Sequence, residues 1–128
     1  MASIFSKILS GEIPCHKIAE NDKFLAFLDI FPLAKGHTLV IPKKAVDYIF
    51  DIEAALLSEM MVFAKHVSKK VEAKINWKRM CVAVIGLEVA HAHIHLVPIN
   101  NVSDIDFSRE KLKLSSDELA EIAKLINS

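Results

Sequence analysis

The residues of this chain best suited to chemistry are three histidines in alternation, His91-Ala92-His93-Ile94-His95. Successive side chains of an extended strand point to opposite faces. All three imidazoles are therefore expected on one face, with Ala92, Ile94 and Leu96 on the other. Each ring has two nitrogens that need partners, so burying three of them for packing alone is costly. Two kinds of chemistry suit such a row. For metal binding, alternate residues lie about 6.6–6.8 Å apart and the outer pair about 13 Å apart. His93 and His95 could share a zinc at about 2 Å from each nitrogen, whereas all three could not easily do so. A complete site would need His37, Glu88 or another residue brought in by the fold. For phosphate chemistry the spacing helps. One neutral ring attacks phosphorus while its neighbours donate hydrogen bonds to the oxygens and the leaving group.

The elements that must position this row can be read from periodicity and turn chemistry. Ser3 caps a short helix with Ile4, Phe5, Ile8 and Leu9, which Gly11 stops and Pro14 keeps from resuming. Extended segments follow at Cys15–Ala19, Phe24–Leu28 and His37–Ile41, separated by Glu20-Asn21-Asp22 and by Pro32 to Gly36. A long helix is predicted over Ile52–Ile75, with Asp51 as N-cap and Asn76 as its end. Its buried stripe is Leu57, Met60, Met61, Ala64, Val67, Val71 and Ile75. Two further strands are predicted at Lys78–Ile85 and Ala90–Ile99, with Pro98 ending the latter or marking an edge. A capping box from Ser115 to Glu118 opens a last helix that turns Leu119, Ile122, Ala123 and Ile126 inward. Residues 1–128 read as one α+β domain. Its mostly antiparallel five-stranded sheet carries one long helix, a short N-terminal helix and a C-terminal helix.

Composition narrows the function. Sixteen basic and sixteen acidic residues give zero formal charge, against a nucleic-acid or membrane-surface partner. The basic patch of Lys65, Lys69, Lys70, Lys74, Lys78 and Arg79 reads as a solvated helix face, and Trp77 as a packing anchor. Gly11, Gly36 and Gly86 lie too far apart for a glycine-rich phosphate loop. Cys15 and Cys81 form no C-x-x-C and read as buried free thiols in a reducing, cytoplasmic setting. Met1–Ser10 lacks the apolar core of a signal peptide, and no run of residues reaches membrane-spanning length. His16 and His66 read as solvated.

The triad segment resembles the signature of the histidine triad (HIT) family, His-φ-His-φ-His-φ-φ with φ apolar. Here it reads His91-Ala92-His93-Ile94-His95-Leu96-Val97. Ile4-Phe5-Ser6-Lys7-Ile8 with Gly11-Glu12-Ile13-Pro14 looks like the family's opening helix. Phe24–Ile30, Pro32 and Gly36–Lys43 look like its central hairpin. The resemblance covers the chain to about Pro98 and is not specific over 100–128. It implies a hydrolase or transferase of the adenosine phosphoramidase-like branch. Such an enzyme acts at the α-phosphate of a nucleoside phosphoramidate or phosphoanhydride, with a purine nucleotide as substrate. His93 would attack phosphorus and form a nucleotidyl-histidine intermediate, and His95 would contact the phosphate or leaving group. His37 and His91 would complete the polar shell and fix ring orientations. Asp29 would hold the ribose hydroxyls, and Ile4, Phe5, Ile8, Phe27 and Ile30 would wall the base pocket. A two-fold homodimer is the family's usual assembly.

The sequence departs from the family pattern at three places. Ser3, Ser6 and Ala45 stand where many members carry two cysteines and a histidine of a structural zinc site, so only His91 of that set is present. The stretch Ala83–Val89 is apolar where a Gly-Gln-Ser/Thr run would supply phosphate donors. Glu88 stands where a hydroxyl or amide is expected, in line with the nucleotide-contacting positions. No cofactor is required on this reading. Adventitious zinc, if bound, would take His37, His93 and His95. The alternative reading is a nucleotide- or zinc-binding HIT module with little turnover.

Overall fold

The computed structural model describes residues 3–128; Met1 and Ala2, which open the segment read against a signal peptide, lie outside the described residues. Ser3 caps the first helix, α1 (Ile4–Leu9), by accepting from the Ser6 N–H. Three strands follow, β1 (Lys17–Glu20), β2 (Phe24–Leu28) and β3 (Thr38–Pro42). The long helix α2 spans Ala54–Glu72, then come β4 (Arg79–Ala83) and β5 (Ile94–Ile99). The closing helix α3 (Ser116–Ile126) opens on the capping box of Ser115 and Glu118, as its sequence predicts. The five strands form one sheet in the order β1-β2-β3-β5-β4, every pairing antiparallel. The α+β expectation is met.

Alternation along the central strands gives the sheet two buried faces. Phe24, Ala26 and Leu28 of β2, Val40 of β3, and Ile94 and Leu96 of β5 pack with Met60, Ala64, Val67 and Val71 of α2. Leu119, Ile122, Ala123 and Ile126 of α3 extend that core. Leu25 and Phe27, with Leu39 and Ile41, face the other way against Phe5. The edge of β1 is closed by side chains. Lys70 Nζ donates to the Ile18 carbonyl and Asn127 Nδ2 to the Lys17 carbonyl. The other edge strand, β4, exposes Val82.

Several boundaries shift for physical reasons. The predicted N-cap Asp51 lies in a single 3-10 turn, Ile49–Asp51. Burial of Ile49 and Ile52 draws that turn into the core, so α2 starts at Ala54 without a side-chain cap. The helix ends at Glu72 rather than Ile75, although Ile75 is buried as expected. Met61, predicted to be core, is 50% exposed while Met60 is fully buried. Met60, Ala64, Val67 and Val71 already form the inward stripe, and Met61 lies about 100° further around the helix. The last two strands are shorter than predicted because β4 and β5 pair only from Ala83↔His95 to Arg79↔Ile99. Pro98 neither ends β5 nor puts it at an edge. It sits beyond Leu96, where pairing with β3 has stopped, so the missing N–H costs no ladder bond on that side.

Gly36 closes the loop before β3 with φ +96°. A Cβ there would lie 3.3 Å from Ile75 Cγ1. Gly36→Ala is expected to lower unfolding free energy by about 1–2 kcal/mol, combining the left-handed penalty with this contact. Urea denaturation of the variant checks this, and an unchanged midpoint would contradict it.

Candidate active site

The β2–β3 hairpin and the approach to β5 converge on one polar cluster. Asp29 follows β2 and its N–H donates to the His37 carbonyl at 3.0 Å, which keeps the two residues side by side. His37 stands just before β3, and His95 pairs across to Leu39. The three histidines of the row lie on one side of the chain. Phe5 meets His91 and His93 edge-on, at centroid distances of 5.9 and 4.9 Å. His93 in turn stands 4.9 Å from His95. The predicted strand is too long at this end. Ladder pairing with β3 begins at Ile94, and before it the Ala92 N–H donates to the Val46 carbonyl.

Hydrogen bonds assign the tautomers. The Leu33 N–H donates to His37 Nδ1 at 3.0 Å, so that nitrogen carries a lone pair. In the neutral ring the proton is then on Nε2, which donates to His95 Nδ1 at 3.0 Å. His95 keeps its own proton on Nε2. His93 Nδ1 lies 2.8 Å from the His91 carbonyl, which can only accept. The His93 proton therefore sits on Nδ1 and leaves Nε2 as a lone pair. His91 is wholly buried, donates from Nε2 to the Pro42 carbonyl at 2.8 Å, and has Ser3 Oγ 3.4 Å from Nδ1. It orients His93 through its backbone and does not line the cavity.

The rings are neutral by environment. Burial first, then neighbouring His95, Lys111 and His93, push His37 down to about 3. Burial and His93 push His95 down to about 4. Burial also lowers His93, against the bond to the His91 carbonyl. Asp29 Oδ2 lies 3.5 Å from His37 Nε2, but with that ring neutral it is a weak second acceptor rather than half of an ion pair. Burial raises the Asp29 carboxyl to about 6, opposed by the Phe31 N–H and by Lys111.

A cavity of about 580 Å³ opens beside these groups. Ile4, Phe5, Ile8, Phe27 and Ile30 wall one part of it, where the sequence places a base pocket. Asp29, His37, His93 and His95 line it, as does Glu88, whose charge acts on His93 and Asp29. Cys15 is a half-buried free thiol in its wall, and Cys81 is likewise free and half-buried. His16 is half-buried rather than solvated, and His66 is exposed. Sequence reasoning missed Phe107 and Lys111, which reach the cavity from the segment after β5. No motif marks them.

Two metal questions have different answers. Ser3, Ser6 and His91 come together, the hydroxyls 3.3 Å apart. Hydroxyls are not the thiolates or imidazoles that structural zinc takes, so a four-ligand zinc does not fit there. At the cavity, the ligand atoms that lie within 4.8 Å of one another belong to Asp29, His37 and His95. Among the described residues His93 lies outside this cluster and Asp29 lies inside it, where the Asp29 N–H bond to the His37 carbonyl holds it.

The histidine row and its cavity belong to a known class of fold and site. The HIT domain family matches residues 10–102. An uncharacterized HIT-like protein of Helicobacter pylori is 41% identical over 98 residues, covering 74% of this chain and 94% of its own. The adenosine 5′-monophosphoramidase hnt1 of Schizosaccharomyces pombe is 36% identical over 102 residues, 79% of this chain and 77% of that one. The crystal structure of a HIT-like protein from Bartonella henselae superposes with a TM-score of 0.84 at 30% identity, covering 98% of this chain and 94% of that one. The chain belongs to the HIT domain family.

The ionisation pattern sets a pH dependence. Unfolded histidine binds a proton below about 6.5. His37 and His95 do so in the fold only near 3 and 4. Their contribution to stability is complete above about pH 6.5 and is lost as pH falls toward 4. Asp29 runs the other way, because the fold takes its proton near 6 and the unfolded chain only near 3.9. Two rings outweigh one carboxyl, and unfolding free energy is expected to fall by about 2 kcal/mol between pH 7 and 5. Urea titrations across that range check it, and a flat or rising profile would contradict it.

Proposed function

We propose that this protein hydrolyses nucleoside phosphoramidates or phosphoanhydrides at the α-phosphate, through a nucleotidyl intermediate on His93. The observation that carries the reading is the 2.8 Å bond from His93 Nδ1 to the His91 carbonyl, which leaves Nε2 as a lone pair beside the cavity. The purine would lie among Ile4, Phe5, Ile8, Phe27 and Ile30, and the ribose hydroxyls would donate to Asp29. His93 Nε2 attacks phosphorus while the bond to the leaving nitrogen or oxygen breaks. His95 donates a hydrogen bond from Nε2 to the charged oxygens or leaving atom. It does not act as the acid: loss of the Nε2 proton from the neutral ring would leave an imidazolate, and the imidazolium that could give a proton up would set an Nδ1 proton against the one on His37 Nε2. The leaving amine takes its proton from solvent. Water then attacks the nucleotidyl group, His93 departs neutral, and an equal proton returns to solvent. The products are the nucleoside monophosphate and the amine or phosphate. The phosphoramidase name of the fission-yeast relative agrees with this class of reaction.

The chain would act as one domain over 1–128 in a reducing cytoplasm. Among the described residues no helix is long and apolar enough to cross a membrane. It would form a two-fold homodimer across the open β4 edge. A groove of about 660 Å³ there is lined by Tyr48, Phe50, Met61, Val82 and Val84, all substantially exposed. Unpaired edges beside apolar side chains call for cover. Zinc is no required cofactor on this reading; an adventitious ion among Asp29, His37 and His95 would have to displace the proton that the Leu33 N–H keeps on His37 Nε2. A second reading, nucleotide binding with little turnover, is favoured by one observation: the Glu88 carboxylate lines the cavity where it repels phosphate.

Incubation with adenosine phosphoramidate separates the two. The wild type should release AMP, and His93→Ala should lower the rate by a factor on the order of 10³ or more. Equal rates would overturn the role of His93, and AMP binding without turnover in the wild type would favour the second reading.

A further inference from the structure

The segment after β5 builds a part of the cavity that lies beyond the HIT match at residue 102. Two bonds tie it to the loop that presents His37. Arg109 Nη2 donates to the Leu33 carbonyl at 2.8 Å, and the Leu112 N–H donates to the Pro32 carbonyl at 2.9 Å. Phe107 packs edge-on against His95 and His37, at centroid distances of 4.7 and 6.2 Å. Lys111 is half-buried, and its Nζ donates to the Phe107 and Arg109 carbonyls. An ammonium has three N–H donors, so one is left for a ligand.

Lys111 is the one cation among the lining residues described. The other lining groups that can ionise are Asp29 and Glu88, the Cys15 thiol, and histidines that burial keeps neutral. The one lining imidazole N–H left free, that of His95 Nε2, serves the phosphoryl group under attack. A second phosphoryl group would find its only full positive charge at Lys111. The charge of Lys111 acts on Asp29 and His37, whereas that of Glu88 acts on His93 and Asp29. The bond of Lys111 to the carbonyl of Phe107, whose ring packs on His37 and His95, places the cation on the His37 side. A cation beside His37 opposes that ring's protonation and favours the Asp29 carboxylate, so its charge is compatible with the neutral rings around it.

We propose that Lys111 is a specificity residue that recognises a phosphoryl group of the substrate other than the one beside His93. The inference rests on the nucleotide reading of the cavity. The group has two chemical sources: the leaving side, as in a nucleoside diphosphate or polyphosphate, or the ribose, as a 3′-phosphate.

Calorimetric titration of AMP, the non-hydrolysable α,β-methylene analogue of ADP and adenosine 3′,5′-bisphosphate into the wild type, Lys111→Met and Lys111→Arg tests it without turnover. The wild type should bind one of the two doubly phosphorylated ligands about tenfold more tightly than AMP, the scale of one charge-assisted hydrogen bond. Preference for the methylene analogue of ADP identifies the leaving side, and preference for the 3′,5′-bisphosphate identifies the ribose. Lys111→Met should abolish the preference and Lys111→Arg should keep it. No preference in the wild type, or one that survives in Lys111→Met, overturns the proposal. Equal weakening of all three ligands in Lys111→Met also overturns it, because that is the signature of a loop clamp. No binding of AMP at all would defeat the nucleotide reading itself, and this proposal with it.

Discussion

The hydrogen bond from the Leu33 N–H to His37 Nδ1 sets the protonation of the His37–His95 pair at the heart of the site. A backbone N–H can only donate, so the buried ring facing it must accept on that side and carry its proton on the other. That proton is directed at His95 Nδ1, and the same logic places the His95 proton on Nε2. A carbonyl does the opposite work for His93, holding the proton on Nδ1 and freeing Nε2. One backbone donor and one backbone acceptor thus set one ring to donate and its neighbour to attack. Burial reinforces both by keeping the rings neutral.

The fold exists around these two contacts. The Leu33 N–H meets His37 because the hairpin loop turns tightly, with Gly36 at positive φ against Ile75 and Pro98. The His91 carbonyl meets His93 because the chain there has not yet joined the ladder. The Ala92 N–H is anchored instead on Val46, and His91 is clamped between Pro42 and Ser3. Ala92, Ile94 and Leu96 press on α2 from the opposite side and lock the register. A slip of one residue would put histidines in the apolar core, so packing on one face fixes chemistry on the other.

Much of this is legible in the sequence because period-2 alternation and capping chemistry are local. The common face of His91, His93 and His95 and the capping box at Ser115 follow from short-range rules, whereas the cavity-lining set from Ile4 to Glu88 is legible only through the resemblance to the HIT family. What escapes depends on remote partners. The late start of β5 depends on where β3 ends and on Val46. The exposure of Met61 depends on which stripe of α2 reaches the sheet. Asp29, not His93, joins His37 and His95 because the hairpin register sets it there. Phe107 and Lys111 carry no motif, and only the bonds from Arg109 and Leu112 to the distant Pro32–Leu33 segment bring them to the cavity.

The central claim is a statement about protons, and nitrogen-15 NMR of the imidazoles reads it directly. Long-range proton–nitrogen correlation near pH 7.5 distinguishes the two neutral tautomers of each ring by the shifts of Nδ1 and Nε2. The account predicts His93 with its proton on Nδ1, and His37 and His95 with theirs on Nε2. His93 protonated on Nε2, or His95 on Nδ1, would contradict it, because the attacking lone pair or the donating N–H would then point the wrong way.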